Sequence, residues 1–212
     1  MDKSQQTLKK GQAYHHGDLR NALVEAGLKV LAKEGAEALN LREVARRAGV
    51  SHAAPYRHFA DKQALIEAIA EDGFHRLWAY IEQAAAKPAK TSSQRLIMLG
   101  QAYVQFALLH SDHFRIMFTS VRAVNESNRL YVTSKAGFHV LIAALQAGQA
   151  SGELVKDDPV EQAKLLWVIV HGVAVLLIDN QFADARVDRA RYGDALVKRC
   201  VEQVLVGLRA RA

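Results

Sequence analysis

Apolar residues recur at helical spacing along most of the chain. From about Asp18, residues Leu19, Leu23, Ala26, Val30 and Leu31 share one face, and Gly35 is a natural stop. Asn40 then opens a second helix, with Glu43 three residues on in the capping-box pattern. Its inward face is Leu41, Val44, Ala45 and Ala48, and Arg42, Arg46 and Arg47 point outward. Gly49 permits a sharp turn, Val50 can plug the core, and Ser51 is placed to cap a third helix that Phe59 closes. Asp61 caps a long fourth helix with apolar positions from Leu65 through Phe74, Leu77 and Trp78 to Ile81. The stretch "KPAKTSS" (87–93) reads as a linker ending in a serine cap. Beyond it the pattern predicts helices at about 93–110, 112–120, 126–149, 159–183 and 189–209. Asp158, Pro159 and Glu161 mark the start of the fourth of these.

The expectation is therefore an all-α protein, and composition agrees. The 212 residues include only three prolines, 50% are hydrophobic and 24% charged, as in ordinary globular chains. A net charge of +6 calls for an anionic partner, and its placement narrows the choice. Residues 1–62 hold 11 Lys and Arg against 7 Asp and Glu, so the excess gathers at the N-terminal end. The single Cys200 rules out an intramolecular disulfide and fits a small apolar filler in a reducing cytoplasm. The opening residues lack the apolar core of a signal peptide. The most apolar run, "LLWVIVHGVAVLLI" (165–178), has 14 residues, short of the roughly 20 that span a bilayer. It is expected to be a buried helix of a cytoplasmic protein with no membrane partner.

Residues 40–62, "NLREVARRAGVSHAAPYRHFADK", carry the chemistry. A helix, a tight turn containing Gly and a second short helix, both with exposed Arg, form a helix-turn-helix arrangement. The second helix of such a pair enters the DNA major groove by its N-terminal residues. Pro55 is tolerated because that helix is mostly first turn. Ala53 and Ala54 let the backbone approach base edges, and an Ala methyl can touch a thymine methyl. Ser51, Tyr56 and Lys62 are in position to reach phosphates.

Residues 18–80 resemble the DNA-binding domain of TetR-type transcriptional regulators, through "LNLREVARRAGVSHAAPYRHFADKQAL". Residues 1–16 are polar, with Lys9 and Lys10, and read as a flexible arm; the resemblance implies a helix-turn-helix DNA-binding domain at 17–80 (motif about 40–59) and a helical ligand-binding and dimerisation bundle at 90–212. It implies Arg42 as a base or phosphate contact. It also implies Ser51, His52, Ala53, Ala54, Tyr56 and Arg57 as the recognition segment, with His58 and Lys62 on the DNA backbone. The chain departs from many members in carrying Pro55 in place of a larger aliphatic residue, and Ala53–Ala54 near a usual Gly or Asn. "LLWVIVHGVAVL", with Trp167, His171 and Gly172, is similar to a Trp-His-Gly type of C-terminal domain.

The partners so implied are an operator in double-stranded DNA, a small apolar or amphipathic effector and a second copy of the chain. Phe106, Phe114, Met117, Phe118, Trp167 and His171 are the candidate ligand-binding residues, each also readable as plain core. The last two helices are expected to form the dimer interface, the final one through Leu196, Val197, Val201, Val204, Leu205 and Leu208. His110 and His113 flank a helix break with Asp112 between them, and a surface or structural role outweighs a metal site. No phosphate loop, dinucleotide fingerprint, H-E-x-x-H or G-x-S-x-G is present, so no catalytic residue and no cofactor are expected. Two rival functions stay open: a DNA-binding regulator that senses nothing, and a helical enzyme or carrier with a basic face.

Overall fold

The computed structural model describes residues 16–121, 123–182 and 188–208. The expected arm at 1–16 lies outside the described residues except for His16, where the first helix begins. Nine α-helices and one 3-10 turn follow in order, and there is no strand among the described residues. They are α1 (His16–Ala38), α2 (Leu41–Ala48), the 3-10 turn (Pro55–Arg57), α3 (Lys62–Ala85), α4 (Ser92–Leu109), α5 (Ser111–Val121), α6 (Arg129–Ala136), α7 (Phe138–Ala150), α8 (Pro159–Ile178) and α9 (Arg189–Leu208). The chain divides into two compact units between Leu65 and Ile66.

In the first unit, Leu23, Val24, Val30, Leu39, Leu41 and Val44 are almost wholly buried. The backbone leaves helical geometry at Gly35 (φ 80, ψ 176), near the end of α1. Asn40 caps α2 by accepting the Glu43 N–H at 2.9 Å. The reciprocal half of the expected capping box is absent, because the Glu43 carboxylate is taken by arginines instead. At the far end, Gly49 adopts φ 70, where a side chain would be strained. Its N–H bonds the Arg46 carbonyl and the Val50 N–H bonds that of Ala45, closing the helix in a Schellman motif.

The third helix expected from Ser51 is not an α-helix. An α-helix capped there would need the N–H of residue 55 on the Ser51 carbonyl, and proline has none. That carbonyl accepts the Ala54 N–H instead, at 3.0 Å. The chain then makes one 3-10 turn with Pro55 in first position, and the Pro55 carbonyl accepts both His58 and Phe59 at 2.9 Å. Pro55 and Phe59 are buried, and the Arg20 guanidinium stands 5.6 Å from the Phe59 ring.

The second unit is a helical bundle with α4 packed against α7, α8 and α9. Its core includes Phe74, Leu77, Val104, Phe106, Ala163 and Val197. Asp158 caps α8 as expected, and Asp61 accepts the Ala64 N–H at the start of α3. The cap of α4 is Thr91, not a serine. The helix expected over 126–149 is broken at Gly137, for a visible reason. In a continuous helix the Thr133 carbonyl would accept the Gly137 N–H. Here Trp78 donates its indole N–H to that carbonyl at 2.8 Å, and Gly137 turns to Lys135.

Two expectations about the last helices change. α8 has 20 residues and is long and apolar enough to span a membrane by length and composition. It is not simply a buried helix: Leu166, Val170 and Ala174 are buried, and Leu165, Val168 and Leu176 lie exposed on the other side. On α9, Val197, Val201 and Leu205 are buried in the chain's own core and are not free for a partner. Among the described residues, Leu165, Val168 and Leu176 make an exposed apolar stripe on α8.

A Cβ on residue 137 would lie 2.0 Å from the Trp78 ring. Gly137→Ala should therefore cost about 1–3 kcal/mol through overpacking. The expected outcome is a lower denaturant midpoint at unchanged slope, read by circular dichroism.

Candidate functional site

Among the residues implicated in DNA contact, Arg42, Ser51, His52, Ala53, Tyr56 and Arg57 are exposed, and Ala54, His58 and Lys62 are partly covered. Arg42 comes from the outer face of α2, Tyr56 and Arg57 from the 3-10 turn, and Lys62 from the first position of α3. The His58 ring leans on Phe59, at 6.3 Å between centroids.

The arginines of this surface fall into two groups. Arg46 makes a two-pronged contact with Glu43, at 2.8 and 2.6 Å. Arg47 bonds Glu43 at 2.6 Å and also pairs with Glu34 of α1. Hydrogen bonds from Arg46, then Arg47, lower the Glu43 pKa to about 2. Among the described residues, Arg42, Arg57 and Lys62 form no ion pair, so their charge is available to an outside anion.

The second unit holds a cavity of about 490 Å³. α3 supplies Phe74 and Trp78, α5 supplies Phe118, and the start of α7 supplies Phe138. α6 contributes Tyr131, Ser134 and Lys135, and α8 contributes Lys164 and Trp167. The Lys135 ammonium lies 5.3 Å from the Tyr131 ring centre and 6.0 Å from that of Trp167. Lys164 pairs with Glu161 at 2.5 Å, and that hydrogen bond raises its pKa. Trp78, Phe138 and Trp167 also wall a smaller inner cavity of about 50 Å³, lined by aliphatic groups such as Leu99, Leu141 and Leu166.

Of the six expected ligand residues, Phe118 and Trp167 line the larger cavity. Phe114, Phe118 and His171 line a separate one of about 220 Å³. Phe106 and Met117 line neither; they are 1% and 0% exposed and belong to the core. Helical period marks such residues as inward-facing but cannot tell a filled interior from a hollow one. Trp78, Tyr131, Lys135, Phe138 and Lys164 were not foreseen. The one available signal was Lys164, three residues before Trp167 and hence on the same helical face.

His171 and Trp167 converge on Tyr103 of α4. The Trp167 indole donates to the Tyr103 oxygen at 3.3 Å, and His171 Nδ1 lies 2.9 Å from that oxygen. Burial pushes the Tyr103 phenol far above its usual range, and the Trp167 hydrogen bond pulls weakly the other way. His113, 3% exposed, donates from Nε2 to the Ile69 carbonyl at 2.6 Å, and His110 packs on Phe106.

Residues 23–69 match the family described as bacterial regulatory proteins, tetR family, and residues 96–201 match the tetracyclin repressor-like C-terminal domain. The chain belongs to the TetR family. It is 25% identical over 201 residues to the HTH-type transcriptional activator FasR of Mycolicibacterium smegmatis, covering 94% of this chain and 87% of that one. A protein of unknown function from Rhodococcus sp. RHA1 superposes with a TM-score of 0.79 at 33% identity, covering 95% of this chain and all of that one. The fatty acid degradation regulator FadR of Bacillus halodurans shares the fold, with a TM-score of 0.66 at 18% identity over 93% of this chain and 100% of that one. This TetR-family chain is a transcriptional regulator with an N-terminal helix-turn-helix domain and a C-terminal helical bundle.

The pairing of Glu43 has a pH signature. Its folded pKa of about 2 lies below the ordinary 4.5, so its contribution is complete above pH 4.5 and is lost as pH falls through about 2. Glu43→Gln should remove that acid-side component from a thermal-midpoint titration between pH 7 and 2, leaving a shallower curve.

Proposed function

We propose that this TetR-family regulator represses transcription by holding a palindromic operator as a homodimer, and leaves it when a small apolar or amphipathic ligand fills the 490 Å³ cavity. The observation that carries the reading is the course of α3. One continuous helix begins at Lys62, a proposed phosphate contact, and further along supplies Phe74 and Trp78 to the cavity wall.

Arg42 and Arg57 are the proposed base-edge readers, supported by their exposure and their lack of a carboxylate partner among the described residues. Ser51, His52, Ala53, Ala54, Tyr56 and His58 complete the proposed contact surface. Glu43 and Glu34 neutralise Arg46 and Arg47, which reserves those two for structure. The protein acts where DNA is, in the cytoplasm, and no catalytic step is assigned to it.

Ligand response is supported by the bonding of α6, which carries three residues of the cavity wall. Asn128, its cap, donates to Glu67 of α3 at 3.1 Å. Arg129 pairs with Glu71 of α3 at 2.5 Å. Any ligand that moves α6 therefore strains bonds to α3. A tenfold change in operator affinity needs only about 1.4 kcal/mol of coupling. Dimerisation is assigned to the exposed α8 stripe of Leu165, Val168 and Leu176. Activation is the second reading, favoured by the similarity to the Mycolicibacterium transcriptional activator.

Genomic fragments selected by the protein should share a palindrome. Arg42→Ala or Arg57→Ala should cost about 1–3 kcal/mol and relax selectivity at one base. Lys62→Ala should weaken all sequences alike and lower the salt slope by about one contact. Unaltered operator affinity in both arginine variants would displace the proposed surface. A promoter fusion gives the sign of regulation.

Sedimentation at micromolar concentration should show a species of twice 23.4 kDa. Leu165→Glu with Val168→Glu should return it to the monomer; a wild-type chain that sediments as a monomer removes the dimer reading.

A further inference from the structure

The charge distribution of the 490 Å³ cavity is one-sided. Its wall holds two ammonium groups, Lys135 and Lys164, and no acidic side chain among the described residues. The rest is mainly aromatic surface, with Phe118, Phe138 and Trp167 close to the lysines' own helices. Lys135 has no carboxylate partner among the described residues; its ammonium stands over the Tyr131 and Trp167 rings. Lys164 has one partner, Glu161, three residues earlier on the same exposed helical face. Exposed pairs of this kind are weak and readily exchanged. The cavity thus has an electropositive rim and an apolar body, continued past Trp78 and Phe138 by the aliphatic inner cavity.

We propose that the ligand is an amphipathic carboxylate, its apolar body against the rings and its carboxylate bridging Lys135 and Lys164. This rests on the reading of the cavity as the effector site. A neutral apolar molecule would leave both ammonium groups unused, and a cationic one would meet two like charges. A carboxylate accepts a charge-assisted hydrogen bond from each lysine. The partner that Lys164 gives up, Glu161, returns to water at little cost because it is exposed.

Calorimetric titration of the full chain with 2-naphthoate and decanoate, each beside its alcohol and its ammonium analogue, tests the assignment. At least one carboxylate should bind about tenfold more tightly than both of its analogues. Lys135→Met with Lys164→Met should abolish that preference, while an unchanged circular-dichroism spectrum and thermal midpoint show the fold intact. Glu161→Gln should tighten carboxylate binding by releasing Lys164, an effect that a merely structural role would not produce. The proposal is overturned if neither carboxylate outbinds its alcohol, if the ammonium analogue binds as well, or if the double lysine variant keeps the preference. Operator release is measured separately with the same ligands. Carboxylate binding without release supports the ligand assignment and refutes the sensing reading. Release by an alcohol alone refutes the assignment and leaves sensing in place.

Discussion

The indole of Trp78 lying against Gly137 is the contact on which the second unit's architecture turns. Residue 137 has no side chain, so the ring occupies the space a Cβ would fill, 2.0 Å away. The same ring captures the Thr133 carbonyl, the acceptor that a continuous helix would give to the Gly137 N–H. One predicted helix therefore becomes two. α6 brings Tyr131, Ser134 and Lys135 to the cavity, and α7 begins with Phe138 on its wall. This exchange of an aromatic donor for a backbone one sets where α6 ends and α7 begins, and so where Lys135 and Phe138 meet the cavity.

A comparable exchange governs the first unit. Glu43 sits where a capping-box carboxylate belongs, yet it accepts from Arg46 and Arg47. Asn40 alone holds the helix start. The result is a sorting of positive charge: Arg47 ties α2 to Glu34 of α1, Arg46 stays on Glu43 within α2, and Arg42 and Arg57 form no ion pair among the described residues. Pro55 sorts the adjacent segment in the same spirit. Its missing N–H limits the chain to short turns, and its buried ring with Phe59 anchors them while Tyr56 and Arg57 stay exposed.

Helix positions were legible because period, caps and glycines are local signals. Asp61, Asp158 and Gly49 act where their chemistry says they should. The missing helix at Ser51 has a local cause in Pro55, whereas the failures in the second unit turn on residues distant in sequence. The break at 137 needs Trp78, 59 positions earlier. The occupied face of α9 needs α4 and α8, so Val197 and Val201 read equally well as core or interface until those helices are in place. Phe106 and Met117 were reasonable cavity residues by composition, but composition cannot say which aromatics surround a void. What distinguishes Lys135 and Lys164 is the cavity that they border, which helical period alone does not mark.

The chain has two tryptophans, Trp78 and Trp167, and both stand in the wall of the same cavity. The first compact unit contains none. Indole emission from this protein is therefore a natural optical probe of the cavity's polarity and occupancy. Both indoles belong to the second unit, so their emission reports on that unit. Filling the hollow changes the surroundings of both fluorophores at once.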